Sequence, residues 1–183
     1  MSPTLLSQRL KALEAAGIVE RRPVGRAVVE YRLTEAGGQL APVIEGLAIW
    51  GKSWLPGTLS NIEPDPDLIM WDLHRRLDLD RMPVDRTVIR FGFRDQPKPK
   101  RYRWIVRDMS GVDLCLTDPG FETDLFIDTD SRTITLVWYG DIPLKQAIAD
   151  GAILLDGPRR LCEAFPSWLL LNRLAEIPRR VFA

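Results

Sequence analysis

The sequence predicts an α+β protein: a helix and a two-stranded hairpin at the front, followed by a five-stranded antiparallel sheet packed with helices. Three observations predict it. Apolar residues recur at helical spacing near the start and give way to two short extended runs around Pro23-Val24-Gly25-Arg26. The stretch Pro56 to Asp67 is rich in Pro, Gly, Asp and Asn and reads as a linker between a domain over residues 1–55 and a second over residues 68–183. Between residues 87 and 139 the period shortens to two, with turn residues at regular intervals.

Taken in order, Ser2 can cap a first helix and Pro3 suits its first position. Leu6, Leu10 and Leu13 then fall on one side, and Thr4, Ser7, Gln8 and Lys11 on another. Gly17 supplies a stop. Ile18 to Arg22 reads as a strand, residues 23–26 as a turn and Ala27 to Leu33 as the returning strand. A polar helix face followed by a hairpin with Arg21, Arg22 and Arg26 at its tip is the arrangement a winged helix sets against duplex DNA. The helix reads base edges while the wing meets phosphates. Any solvated amphipathic helix shows a similar polar face, so the pattern alone leaves both readings open.

The run S-P-x-x-L-S-x-R-L-x-x-L-E-x-x-G-I-V-E-R, then V-E-Y-R-L-T-E-x-G and a helix ending A-x-W-G, resembles the HxlR-type winged-helix transcriptional regulators of bacteria over residues 1 to about 52. The resemblance implies that the helix over Ser2 to Ala16 is the recognition helix and that a helix over residues 34–50 pairs two subunits as a homodimer. Carried over by position, Ser2, Thr4, Ser7, Gln8 and Arg9 approach double-stranded DNA, with Arg21, Arg22 and Arg26 on the wing. Domains of this kind carry further helices before the recognition helix. The expectation is therefore a partial winged helix, incomplete at its front, that binds DNA weakly or not at all as it stands.

Composition bounds the remainder. The 183 residues carry 25 Lys and Arg against 25 Asp and Glu. Residues 1–55 hold 7 basic against 5 acidic residues, too slight a split to mark a nucleic-acid binder by charge. Cys115 and Cys162 stand far apart in apolar surroundings, which fits buried thiols in a reducing cytoplasm. The most apolar run, Trp168 to Leu171, falls far short of the roughly 20 residues a membrane helix needs. A cytoplasmic protein without a membrane span is expected.

Leu68 to Leu79 reads as a helix with His74 on its polar side. Thr87–Arg94, Arg101–Asp108, Val112–Thr117, Thr123–Asp128 and Thr133–Tyr139 read as five strands of an antiparallel meander. Ile142 to Asp150 is helical, Ala152 to Leu155 extended, and Pro158 to Leu174 helical around Pro166. His74, the single histidine, has no Ser, Cys or metal-ligand set around it, and Asp124, Asp128 and Asp130 lack the Gly and terminal Glu of a calcium loop. The residues spell no catalytic set, no metal site and no cofactor site.

The segment V-D-L-C-L-T-D-P-G-F-E-T-D-L-F-I-D-T-D followed by W-Y-G-D-I-P-L-K-Q-A-I-A-D-G-A-I-L-L-D-G-P resembles the later half of a sterol carrier protein-like domain. That resemblance implies an antiparallel sheet and helices around an apolar tunnel for a hydrophobic small molecule. Trp138, Phe165 and Trp168 are the candidate lining residues, since large rings beside a mobile helix leave gaps; the other reading is that they fill the core. Two functions stay open: a regulator whose rear domain senses an apolar effector, and a carrier of apolar ligands whose front segment serves only for dimerisation.

Overall fold

The computed structural model describes residues 2–25, 28–55 and 64–180. Its contacts divide the chain into two compact units, Met1–Lys52 and Ser53–Ala183.

The first unit opens with α1 (Pro3–Ala15), whose first turn is capped by Ser2 Oγ accepting from Leu5 N at 3.3 Å. Gly17, at φ +69°, turns the chain out of the helix. Gly17 N donates to Glu14 O and Ile18 N to Leu13 O, the paired bonds of a Schellman stop. β1 (Val19–Val24) and β2 (Val28–Leu33) then pair antiparallel, from Val19↔Leu33 to Val24↔Val28. The ladder continues through Pro23 and Val24, which the sequence assigns to the turn. Each strand of a two-stranded sheet has an open edge where a proline's missing N–H costs nothing. Arg21 and Arg22 therefore lie within β1 and not at the hairpin tip.

The single helix expected over residues 34–50 is two, α2 (Glu35–Gln39) and α3 (Ala41–Trp54). A continuous helix would drive the Pro42 ring against the carbonyl of Gly38, so the chain stops at Leu40 and restarts. Thr34 anchors α2: its Oγ1 accepts from Gly37 N at 3.0 Å and donates to Gly17 O at 2.6 Å. Gly37 is demanded by space, because a Cβ there would lie 2.0 Å from Ile18 O.

The second unit comprises α4 (Pro66–His74), β3 (Thr87–Phe93), β4 (Tyr102–Asp108), β5 (Gly111–Cys115), β6 (Leu125–Thr129), α5 (Ser131–Trp138), α6 (Leu144–Ala149), β7 (Leu154–Asp156) and α7 (Arg159–Trp168). The expected five-stranded sheet packed with helices is present, with strand order β5-β4-β3-β6-β7. It is not a meander. β3 and β6 run parallel, in register from Ile89↔Leu125 to Phe93↔Thr129, while the other three ladders are antiparallel. The fifth strand is β7, and residues 133–138 are helical, with Tyr139 as the C-cap. Asp130 caps α5 by accepting from Thr133 N at 2.7 Å, which puts Ile134, Val137 and Trp138 on one buried side.

One core joins Ile89, Phe91, Ile105, Leu125 and Ile127 of the sheet to Met70, Leu73, Trp138 and Phe165 of the helices. A smaller cluster of Val88, Trp104 and Val106 occupies the opposite face of the sheet. α4 begins two residues before Leu68, at the end of the expected linker. Asp65 Oδ1 accepts from Asp67 N and from Lys100 Nζ, and Asp67 pairs with the buried Arg103. His74 is buried at the end of α4 with Nδ1 3.2 Å from Met70 O, not on a solvated face. Both cysteines are free and half-buried. Among the described residues, no helix is long and apolar enough to cross a membrane.

Candidate nucleic-acid interface and apolar groove

Thr4, Ser7, Gln8 and Lys11 are all exposed on α1, and at 100° per residue they share one face of the helix. Arg9 is exposed too, but five positions from Thr4 put it about 140° round the helix, on the side of Leu5 and Leu6. Ser2 lies at the helix start with its hydroxyl engaged as the cap. Leu5, Leu6 and Leu13 are exposed, and α1 has no buried residue. Of the leucines whose spacing predicts a core-facing side, Leu10 alone is half-buried, so that role is filled only in part.

The hairpin separates its arginines. Adjacent residues of a strand point to opposite faces, so Arg21 shares a face with Pro23 and Tyr31, and Arg22 shares the other with Glu20 and Glu30. On Arg22's face the charges cancel in pairs: Arg22 meets Glu20 at 2.5 Å and Arg32 meets Glu30 at 2.9 Å. Arg21 has no partner among the described residues. Arg26 lies outside them. These pairings follow from two-residue alternation across the hairpin, a signal present in E-R-R and E-Y-R that counting arginines overlooks.

α3 presents a stripe of its own. Val43, Ile44, Leu47 and Trp50 recur at helical spacing and are each more than half exposed. A helix face this apolar and this open is unusual for a surface that meets only water.

In the second unit the three candidate lining rings are packed core. Trp138 and Phe165 are fully buried and Trp168 is 1% exposed. Phe165 meets Phe91 and Trp168 edge-on, with ring centroids 6.4 and 6.2 Å apart, and Trp138 Nε1 donates to Asp72 Oδ2 at 2.8 Å. The open apolar surface lies elsewhere. Ile148, Ile153, Leu154, Leu155 and Pro166 line a groove of about 510 Å³ between α6, β7 and α7, with Lys145 and Arg159 also on its walls. Leu154 and Leu155 could have signalled it, since adjacent residues of one strand cannot both face the core. Burial and then the carboxylate of Asp113 push the Cys115 thiol up from its ordinary value. No group of three or more His, Cys, Asp or Glu residues among those described could hold a metal ion.

Residues 1–58 match the family model described as HxlR-like helix-turn-helix. Two curated relatives match the same end of the chain. The uncharacterized HTH-type transcriptional regulator YvaP of Bacillus subtilis is 39% identical over 57 residues, covering 30% of this chain and 53% of that protein. The uncharacterized HTH-type transcriptional regulator BH0655 of Halalkalibacterium halodurans is 48% identical over 48 residues, covering 25% and 42%. The chain thus spans about half the length of the curated relatives it matches. Solved structures overlap a larger share. The ubiquinone synthesis protein UbiJ-SCP2 is 16% identical at a TM-score of 0.40, covering 66% of this chain and 90% of that one. Sterol carrier protein-2 of Aedes aegypti, solved with palmitate, is 17% identical at 0.38, covering 58% and 94%. The sec-alkylsulfatase Pisa1 of Pseudomonas sp. is 20% identical at 0.46 over 57% of this chain and 16% of that one. Residues 1–58 match the HxlR-like helix-turn-helix family model, and sterol carrier protein-2-like domains are among the solved structures similar to this chain.

Proposed function

We propose that the chain is a subunit of a cytoplasmic, DNA-binding transcriptional regulator that pairs through α3 and holds an apolar effector in the groove between α6, β7 and α7. The observation that carries this reading is the open face of Thr4, Ser7, Gln8 and Lys11 on α1, in a segment of helix-turn-helix type. In this reading Thr4, Ser7 and Gln8 meet base edges, while Ser2 at the helix start and Arg9, Arg21, Arg22 and Arg26 meet phosphates. The stripe of Val43, Ile44, Leu47 and Trp50 is the pairing surface, shared by two copies of the chain.

Fluorescence anisotropy of labelled duplex from the gene's own upstream region, titrated at two salt concentrations, tests the reading. Each phosphate contact contributes about −0.9 to the slope of log K against log salt, so Arg21→Ala flattens that slope by about one. Binding no stronger than to unrelated duplex, with no salt dependence, removes the regulator reading.

The pairing of Arg22 with Glu20 and of Arg32 with Glu30 favours a second reading. Here the front segment only joins two subunits, and the protein is a carrier of apolar ligands. Saturable uptake of a fluorescent fatty acid, abolished by Leu155→Arg, together with no duplex binding selects it.

A further inference from the structure

Where the end of α4 meets the segment after α7, Asp72, Arg75, Arg76, Asn172 and Arg173 line a cavity of about 290 Å³. A second cavity of about 510 Å³ shares Arg76, Asn172 and Arg173 and continues along Leu169, Leu170 and Leu171, with Glu176 also on its wall. Three guanidiniums thus border the first cavity against one carboxylate.

That carboxylate is already committed. Asp72 Oδ2 accepts from Trp138 Nε1 at 2.8 Å and from Asn172 Nδ2 at 2.9 Å, and Arg75 Nη2 stands 3.6 Å from Oδ1. Two of the arginines are held in place from behind. Arg76 Nε donates to Leu170 O and Leu171 O at 3.4 and 3.0 Å, and Arg75 Nε donates to Trp71 O at 3.2 Å. The Nη groups of Arg76 and the whole guanidinium of Arg173 donate to nothing among the described residues. Like charges gathered around one cavity repel unless an anion sits between them, and forked guanidinium donors match an oxyanion best.

We propose that this cavity binds a phosphate group, with Arg76 and Arg173 donating to its oxygens, Arg75 completing the charge, and any apolar substituent lying along Leu169 to Leu171. Three cations against Asp72 leave the first cavity doubly positive, and Glu176 on the wall of the second lowers the sum to one across both; a phosphate offers the forked donors of Arg76 and Arg173 three oxygens where a carboxylate offers two. The site is separate from the groove between α6, β7 and α7. Its occupancy and that of the groove are measured independently.

Isothermal titration calorimetry on the full chain tests the proposal with three probes: inorganic phosphate, hexyl phosphate, and vesicles of phosphatidic acid in phosphatidylcholine. Hexyl phosphate binds more tightly than inorganic phosphate, and both bind better as pH rises through about 6, where the second charge forms. Arg173→Gln weakens binding about tenfold, the loss of one charge-assisted contact. Arg173→Lys keeps the charge and restores part of it. Arg101→Gln, at an exposed position outside the cavities described, leaves phosphate binding unchanged. Arg173 is exposed, so these variants keep the fold, which the near-ultraviolet circular dichroism of the buried tryptophans verifies. If the vesicles bind with the same loss in Arg173→Gln and the free phosphates do not, the phosphate is a lipid headgroup. The proposal is overturned if no probe binds, or if Arg173→Gln costs no more than Arg101→Gln.

Discussion

Replacing Phe165 by Ala distinguishes a ring that fills the core from a ring that lines a ligand tunnel. Phe165 is fully buried and meets Phe91 and Trp168 edge-on. The truncation removes the phenyl ring from water-free surroundings and leaves a hole bordered by residues of the sheet and of α7, which cannot collapse together. Side-chain deletions of this kind cost about 3–5 kcal/mol, including the cavity they leave. Each lost aromatic pairing adds about 0.5–1.5 kcal/mol beyond area, so the upper half of that range applies. With a urea slope of about 2 kcal/mol/M, the unfolding midpoint falls by about 2 M. Urea titration followed by near-ultraviolet circular dichroism reads this directly, because Trp138 and Trp168 share the same core. Leu154→Ala, at an exposed position, shifts the midpoint by a few tenths of a molar at most. A loss below about 1 kcal/mol for Phe165→Ala, with a gain in uptake of an apolar probe, would refute the packing argument and return this ring to the ligand site.

Gly37→Ala drives a methyl group into the Ile18 carbonyl and destabilises the first unit by about 2 kcal/mol; amide hydrogen exchange of β1 and β2 checks it, and unchanged protection sinks the claim. Leu47→Glu, in the middle of the α3 stripe, converts a dimer to a monomer in sedimentation velocity, whereas a wild-type chain already monomeric at tens of micromolar refutes pairing through α3. Burial pushes the Asp65 carboxyl up, but the hydrogen bonds from Lys100 and from Asp67 N pull it down further, so it titrates below its ordinary 3.8. A carboxyl lowered on folding contributes stability above its unfolded value, and that contribution disappears as pH falls through the folded one. Thermal melts of the wild type therefore lose ground on acidification from about pH 4 downwards, and Asp65→Asn, which carries no titrating group, removes that part of the slope.

Local chemistry was legible wherever a cap or a turn residue governs it. Ser2 and Pro3 start α1 and Gly17 stops it, as their side chains and backbone freedom dictate. Four of the strands in the sheet lie within a residue or two of where two-residue alternation puts them. The failures have two causes. Residues 133–139 are, apart from Leu136, β-branched or aromatic and read as a strand, but Ser131, Ile134, Thr135 and Trp138 also carry the helical spacing, and the Asp130 cap with a core on one side decides for the helix. The parallel pairing of β3 with β6 depends on contacts distant in sequence, and no local period encodes which strand becomes the neighbour. In the candidate site, the polar face of α1 was legible from spacing. The cancellation of Arg22 by Glu20 follows from strand alternation once the hairpin is in place, and the burial of Trp138, Phe165 and Trp168 depends on packing that residue types leave undecided. The groove along Leu154 and Leu155 is built within residues 145–166 and had a local signal in those adjacent leucines, whereas the arginines around Asp72 become visible only when segments about 100 residues apart are brought together.

The second unit begins and ends at one point. Arg180 N donates to Ser53 O at 2.7 Å, and Arg179 Nη1 donates to Leu55 O at 3.2 Å, so the chain enters and leaves this unit a single hydrogen bond apart. A body whose two ends meet can be cut from one polypeptide and spliced into a surface loop of another without stretching either, and its own ends can be joined and new ones opened elsewhere. The stretch from Leu55, just past α3, to Arg180 is in that sense a cassette, and its folding after transfer into a host protein can be followed by fluorescence.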